Sequence, residues 1–385
     1  MIKMDICIVS GVDINKPAGD TNTIRTINFA SELKKQGFDV TLIAQESPGM
    51  DIKEELNGIT THTLPTLNTV PIINHLKRTK SLIRKTKEIE KKKENSLLQI
   101  ETSMLCGYFT FAGFSNYVVD FHGIVFDEIK YWKLPWYIPS KLYQNYSRNL
   151  EKRAAKHAYR VITVSNLMKE FIMKEWGVAE EKIEVIPNGY FEAKIKKVEN
   201  IKETKEIISF IGLLAKWANV DKVINAANAL KKEDVSFYIV GNGPDRGRLE
   251  QMVKEYDLNN VTFTGFVPID KAYEIMAKSK ILLAPFPKTL ALEVACPIKL
   301  LEYMALAKPM VIDNVGEIPA MLKENDAAFV SDPLNQNEFI ESIRILLDDD
   351  KLRKKIGSNA KELAKDFTWE KQGEKLAKMY ESLKI

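Results

Sequence analysis

The stretch EIISFIGLLAKWANVDKVINAANALKK, Glu206 to Lys232, changes its period part-way along. Its opening EIISFIG is a short apolar run that stops at Gly212, the pattern of a buried strand. VDKVINAANALKK has the spacing of an amphipathic helix, and SFYIVGNG, from Ser236, then begins another strand. Strand, helix, strand implies a parallel sheet with helices on its faces.

Working outward, this alternation covers nearly the whole chain. Before it, DICIVSG (from Asp5), DVTLIAQ (Asp39), SLLQIET (Ser96), NYVVDFHG (Asn116), RVITVS (Arg160) and KIEVIPNG (Lys182) read as strands. After it come VTFTGF (Val261), KILLAPF (Lys280), PMVID (Pro309) and AAFVS (Ala327). Twelve strands exceed one comfortable doubly wound sheet, and the polar segment FEAKIKKVENIKETKE, from Phe191, divides them six and six. Two similar α/β domains in tandem are expected, over residues 1–195 and 203–367.

The bulk properties agree. A chain of 385 residues is too long for one ordinary core, and 45% apolar with 28% charged residues describe a globular protein. No run reaches the ~18 apolar residues of a membrane span, and no basic region followed by an apolar one opens the sequence, so a cytoplasmic protein is expected. Cys7, Cys106 and Cys296 have no metal-like spacing and the histidines are dispersed, which fits a reducing compartment without disulfides or zinc. The net charge of +4 is uneven: 26 Lys/Arg face 22 Asp/Glu in residues 1–190, against 30 and 30 beyond. Most of the excess lies in KRTKSLIRKTKEIEKKK, Lys77 to Lys93, which fits either an anionic partner surface or a solvated helix face. Nucleic acid is not an expected partner.

Several strands end in glycine or a small polar residue, at SFIGLL, YIVGNGP, FTGFVP, DFHG and VIPNG. Open α/β sheets bind ligands beyond those strand ends, and glycine lets a ligand approach the backbone. VACPIKLLEYMALAKP, Val294 to Pro309, adds a helix start of unusual chemistry. Pro297 reads as its first residue, but Cys296 stands where Ser, Thr, Asp or Asn is the usual cap. Lys299 then places a cation against the helix dipole at a cost of ~0.3–1 kcal/mol. An uncapped helix start among strand-end glycines suits a phosphate-bearing ligand.

Read together and in order, AGDTNTIRTINFASELKKQGFDVTLI, HAYRVITVS, KIEVIPNG, FIGLLAKWANVDKVINAA, YIVGNGPDRGRLE, VTFTGFVP and PIKLLEYMALAKPMVI resemble the retaining glycosyltransferases of family 4. Their GT-B fold has two facing Rossmann-like domains. DFTWEKQGEKLAKMYESL resembles the closing helices, so residues 368–385 are expected to pack back on the first domain. The resemblance implies a nucleotide-sugar co-substrate on the second domain, most commonly a UDP-sugar, with no other cofactor and no metal. The acceptor lies on the first domain, and the sugar moves with retention of its anomeric configuration.

Residue by residue, the resemblance puts the diphosphate at the N–H groups of Ile298 and Lys299, adds the Lys299 ammonium, and gives the ribose hydroxyls to Glu302. Read without it, Lys299 and Glu302 are an exposed pair at i, i+3. Gly19, Gly212, Gly241 and Gly243 shape the donor cleft, although Asp20 beside Gly19 can simply cap the next helix. Phe266 and Val267 either hold the base or fill the core at a strand end. His122 carries over to a histidine set against the transferred sugar, with Asp120 and Glu128 as acceptor contacts.

Two departures stand out. Val294 occupies the place of the first acid in the family's E-x7-E arrangement, with Glu293 one residue off. PIKLLEY fits instead a P-x-K-x-x-E-Y version, in which Lys299 partly compensates. After FIG, the usual Arg and Lys are Leu213 and Ala218, leaving Lys216 as the nearby cation and Trp217 to pack on the donor or in the core. These departures motivate a second reading, a catalytically silent GT-B subunit that partners an active transferase. A nucleotide-sugar epimerase shares the architecture, but no convincing acid/base set for it is present. Ile72, Leu76 and Ile83 offer the Lys77–Lys93 segment a packing face, and KYWKLPWYIPSKLYQNY, from Lys130, interleaves aromatic and basic residues. Peripheral contact with an anionic membrane and a glycan, lipid-linked or cell-envelope acceptor are therefore expected.

Overall fold

The computed structural model describes residues 4–14, 21–46, 56, 58–65, 71–92, 96–132, 134–203 and 207–383. Gly19, Asp20, Lys93 and the side chain of Ile72 lie outside that description. The chain forms two compact units, Met1–Asn188 with Trp369–Ile385, and Gly189–Thr368.

The first unit is built on strands β1 (Asp5–Asp13), β2 (Asp39–Glu46), β3 (Thr60–Pro65), β4 (Ser96–Glu101), β5 (Tyr117–Phe121), β6 (Arg160–Thr163) and β7 (Ile183–Val185). They form one parallel sheet in the order β3-β2-β1-β4-β5-β6-β7. This is seven strands where six were expected. β3 reads TTHTLP, with no apolar run to mark it, and lies at the edge of the sheet, where among the described residues it pairs with β2 alone. The helices that matter below are α1 (Thr21–Lys35), α2 (Pro71–Glu90), α3 (Ser103–Phe111), α4 (Val125–Glu128) and α5 (Ser140–His157).

α2 buries Thr79, Leu82, Thr86 and Ile89, whereas Leu76 is 51% exposed and Ile83 only half-buried. The packing face is thus rotated from the one expected: Thr79, Leu82, Thr86 and Ile89 take the buried positions in place of Leu76 and Ile83. The C-terminal helix, Trp369–Ser382, lies in this unit against α1, with Trp369 edge-on to Phe29 at 5.8 Å. Gly373 makes that approach possible, since a Cβ there would fall 2.3 Å from the Glu32 Cβ.

The second unit carries β8 (Ile207–Ile211), β9 (Ser236–Val240), β10 (Val261–Gly265), β11 (Ile281–Ala284), β12 (Met310–Asp313) and β13 (Phe329–Ser331). Its sheet is parallel in the order β10-β9-β8-β11-β12-β13. The segment expected to divide the domains is structured here: Glu192–Val198 is a helix of the second unit, buried through Ile195 and Val198. Trp217 packs against the core around Phe210, Phe237 and Phe339, so it fills space. Strand order reverses between β1 and β4 and again between β8 and β11, the places where neighbouring loops part and leave a crevice. No described helix is long and apolar enough to cross a membrane.

Candidate functional site

In the second unit, β8 and β9 end pressed together. Gly212 donates its N–H to the Val240 carbonyl at 2.9 Å, and Gly241, at φ 134°, donates to Gly265 at 3.0 Å. A Cβ on Gly241 would lie 2.0 Å from the Gly212 carbonyl oxygen, and one on Gly243 2.2 Å from that of Leu214. Only glycine fits such a turn. The Tyr303 hydroxyl holds the end of β8 from below, accepting the Ile211 N–H at 3.3 Å.

The helix Ile298–Ala305 opens beside these glycines. Pro297, expected as its first residue, is its cap instead, because a ψ of 118° takes it out of the helical region, and no side chain caps the first turn. The Lys299 ammonium lies 4.6 Å from the Phe210 ring centroid and 5.3 Å from that of Phe286. It stands 3.0 Å from where a Gly212 Cβ would be. Phe286 is fixed in turn: its N–H donates to Asp313 at 2.9 Å, and Asp313 is paired with buried Lys222. Glu302 accepts from the Tyr273 hydroxyl at 2.6 Å. Burial pushes Lys299 down to about 8 against the pull of Glu302, and pushes Glu302 up to about 7 against Tyr273 and Lys299. A simple exposed pair is excluded by these surroundings.

The remaining donor-side positions separate. Phe266 follows Gly265 and is 57% exposed, so it is not a core residue, while Val267 is half-buried. Lys216 is exposed on the short turn Lys216–Ala218, Leu213 is half-exposed, and Ala218 is buried. Arg246, which sequence reasoning missed, brings Nη1 to 3.0 Å from the Cβ position of Gly265. Glu293 ends the short helix Leu290–Glu293, with Val294 buried behind it.

The second cluster sits at the switch point of the first sheet, where Glu101 ends β4 and His122 follows β5. Asp120, expected as an acceptor contact, is wholly buried and serves a different end. Arg25 grips both its oxygens, at 2.8 and 3.0 Å, and also donates to the Ile186 and Pro187 carbonyls and to Asn188. His122 is almost wholly buried: Nε2 lies 2.5 Å from Glu101 Oε2 and 3.6 Å from Asp120 Oδ2, and Nδ1 lies 3.1 Å from Asn22 Oδ1. Burial works to lower its pKa, but Asp120 and Glu101 outweigh it and raise the imidazole to about 9. Ligand atoms of Glu101, Asp120 and His122 come within 4.8 Å of one another, a spacing fit for a cation. Arg25 already supplies that charge, bidentate on Asp120.

Glu128 reaches back over Gly123, where a Cβ would lie 2.9 Å from its Oε1. Burial and Asp127 push its carboxyl up to about 7, against His122. The loop between His122 and Glu128 is anchored by buried Glu151 of α5, which accepts from the Val125 and Phe126 N–H groups at 3.0 Å and from Ser103 at 2.6 Å.

With this geometry in place, the similarities become informative. Residues 23–191 match the family described as "Glycosyltransferase Family 4", and residues 191–363 match "Glycosyl transferases group 1". Both matches describe glycosyltransferases, and each covers just under half of the chain. An uncharacterized glycosyltransferase of Methanocaldococcus jannaschii is 29% identical over 264 residues, so the match spans just under two thirds (65%) of each chain. Sucrose-phosphate synthase from Thermosynechococcus elongatus superposes with a TM-score of 0.77 at 17% identity over 98% of both chains. Anabaena HepE, solved with UDP-glucose, gives 0.73 at 18% identity over 98% of this chain and all of that one. These structures share the GT-B fold.

The residues that hold each cluster rigid came from outside the motifs. Arg25 left a trace, a lone cation on the helical stripe shared with Phe29 and Leu33. Glu101 left a weaker one, alternating with Gln99 along an apolar strand. Asn22 and Tyr273 left none.

Proposed function

We propose that this protein is an active, retaining, metal-independent glycosyltransferase. It moves a sugar from a nucleotide-sugar, a UDP-sugar in the first instance, to a glycan, lipid-linked or cell-envelope acceptor. The observation that carries this reading is the Lys299 ammonium at Gly212, beside an uncapped helix start. The N–H groups of Ile298 and Lys299 donate to the diphosphate, and Lys299 answers the charge that builds on the leaving group. Glu302, steadied by Tyr273, receives the ribose hydroxyls. The glycines at 212, 241 and 243 let the phosphates reach the backbone, with Lys216 at the rim and Phe266 and Val267 beside the base. The departing phosphate takes the acceptor proton, so no side-chain base is required. On the first unit, His122 faces the sugar with a positive charge and Glu128 contacts the acceptor. The UDP-glucose seen in HepE supports the choice of uridine.

The silent-subunit alternative rests on Leu213 and Ala218. Ala218 is buried, and Lys299 supplies a cation beside Gly212, which favours activity. Lys77, Lys80, Arg84 and Lys87 form one exposed stripe along α2, continued by exposed Lys91 just past its end, and Trp136 is 94% exposed. Both support peripheral association with an anionic membrane face. Calorimetric titration with UDP, GDP and ADP tests the whole reading. Micromolar binding of UDP, weakened at least about tenfold by Glu302→Ala, is expected. Binding of none by folded protein would put the silent subunit first.

A further inference from the structure

We propose that Tyr380, Gln99 and Glu101 form a positioning relay that ties the C-terminal helix to His122 and holds its ring doubly protonated. The Tyr380 hydroxyl donates to Gln99 Oε1, and Gln99 Nε2 donates to Glu101 Oε1. Glu101 sets its other oxygen, Oε2, against His122 Nε2 at 2.5 Å. Gln99 and Glu101 are two residues apart on β4 and so share one face. Tyr380, Gln99 and Glu101 are all wholly buried.

The direction of the relay follows from the chemistry of its parts. The Gln99 oxygen accepts from a phenol, so its amide nitrogen must face Glu101, and that carboxylate acts only as an acceptor. Burial, with Glu101 and Asp120 nearby, holds the Tyr380 phenol in its protonated, donating form. His122 then meets an acceptor at each nitrogen, Glu101 at Nε2 and Asn22 at Nδ1. The Nε2 contact lacks the alignment of a directed hydrogen bond, so charge and packing hold it. Charge counting agrees: Arg25 answers Asp120, and only an imidazolium answers Glu101. Glu128, beyond Gly123, is the further acid facing the ring.

A histidine held this way has no lone pair to act as a base. It offers the reaction a fixed positive charge, a consequence that rests on the glycosyl-transfer reading, while the relay itself does not.

The test is an NMR titration of ring-labelled full-length protein, with the His122 signals assigned by His122→Asn. Wild-type His122 is expected to stay protonated through pH 8 and titrate near 9. Glu101→Gln is expected to lower that midpoint by at least about one pH unit. Tyr380→Phe leaves the charges in place and is expected to lower kcat about threefold or more, with the donor KM unchanged. A folded wild-type protein whose His122 titrates near the ordinary ~6.5 overturns the proposal without any variant. Glu101→Gln with an unmoved midpoint removes Glu101 from it, and Tyr380→Phe with full kcat removes the C-terminal helix. If the titrations behave as expected but no sugar is transferred, the Glu101–His122 pairing stands and the glycosyl-transfer reading falls.

Discussion

Affinity for a nucleotide-sugar is expected to peak between pH 7 and 8 and to fall on both sides. On the proposed reading Glu302 receives ribose hydroxyls as a carboxylate; burial raises it to about 7 in the free protein. Its contribution is present above that value and lost as pH falls through it. On the same reading Lys299 meets the diphosphate as an ammonium; burial lowers it to about 8. Its contribution is present below that value and lost as pH rises through it. Where only the required form binds, each limb drops about tenfold per pH unit, or ~1.4 kcal/mol. Affinity at pH 6 and at pH 9 is then about one sixth of its maximum, which falls near pH 7.5. The assay is calorimetry with UDP-glucose, whose doubly esterified diphosphate keeps its charge across this range. Repeating it in buffers of different ionisation enthalpy at pH 8 is expected to show uptake of about half a proton. Lys299→Met removes the alkaline limb and leaves the acid one. Tyr273→Phe moves the acid limb to higher pH, because it removes a hydrogen bond that favours the Glu302 carboxylate. Affinity constant within about twofold from pH 6 to 9 would refute the placement of both groups.

Arg25→Met leaves Asp120 buried without its partner and is expected to cost about 3–5 kcal/mol in urea unfolding; a loss below about 1 kcal/mol would show the cluster reorganises freely. Gly241→Ala drives a Cβ against the Gly212 carbonyl oxygen, so nucleotide affinity is expected to fall more than about tenfold with circular dichroism unchanged. Wild-type affinity in that variant would take the β8 and β9 turns out of the donor site. Reversing Lys80, Arg84 and Lys91 to Glu is expected to abolish sedimentation with anionic vesicles at low salt, each lysine or arginine near such a surface being worth roughly 1 kcal/mol. Equal sedimentation of wild type and variant would exclude α2 as a membrane contact.

The contrast between what the chain announces and what it conceals follows from the range of the forces involved. Buried parallel strands such as SFYIV and ILLA are apolar on both faces, so they announce themselves locally. β3 does not, because an edge strand meets solvent on one side and TTHTLP can be polar. α2 announces a helix but misleads about its face, since Thr79 and Thr86 are buried beside Leu82 and Ile89 while Leu76 stays exposed. The glycines at 241 and 243 are legible because a Cβ at either would run into backbone, which leaves no room for any other residue.

The supports of each cluster obey a different rule. Tyr273 meets Glu302 across 29 positions, Arg25 meets Asp120 across 95, and Tyr380 meets Gln99 across 281. No local periodicity links such partners. Each is a single polar group that burial would penalise unless a distant partner were brought to it. Arg25 shows how that penalty becomes a signal: a cation in the stripe of Phe29 and Leu33 is tolerable only if an anion waits inside the fold. A sequence can reveal that such a partner exists, and topology decides which it is. Here β5 delivers Asp120 to Arg25, and β4 delivers Glu101 to His122. His122 therefore owes its charge to two strands that meet only in the folded sheet.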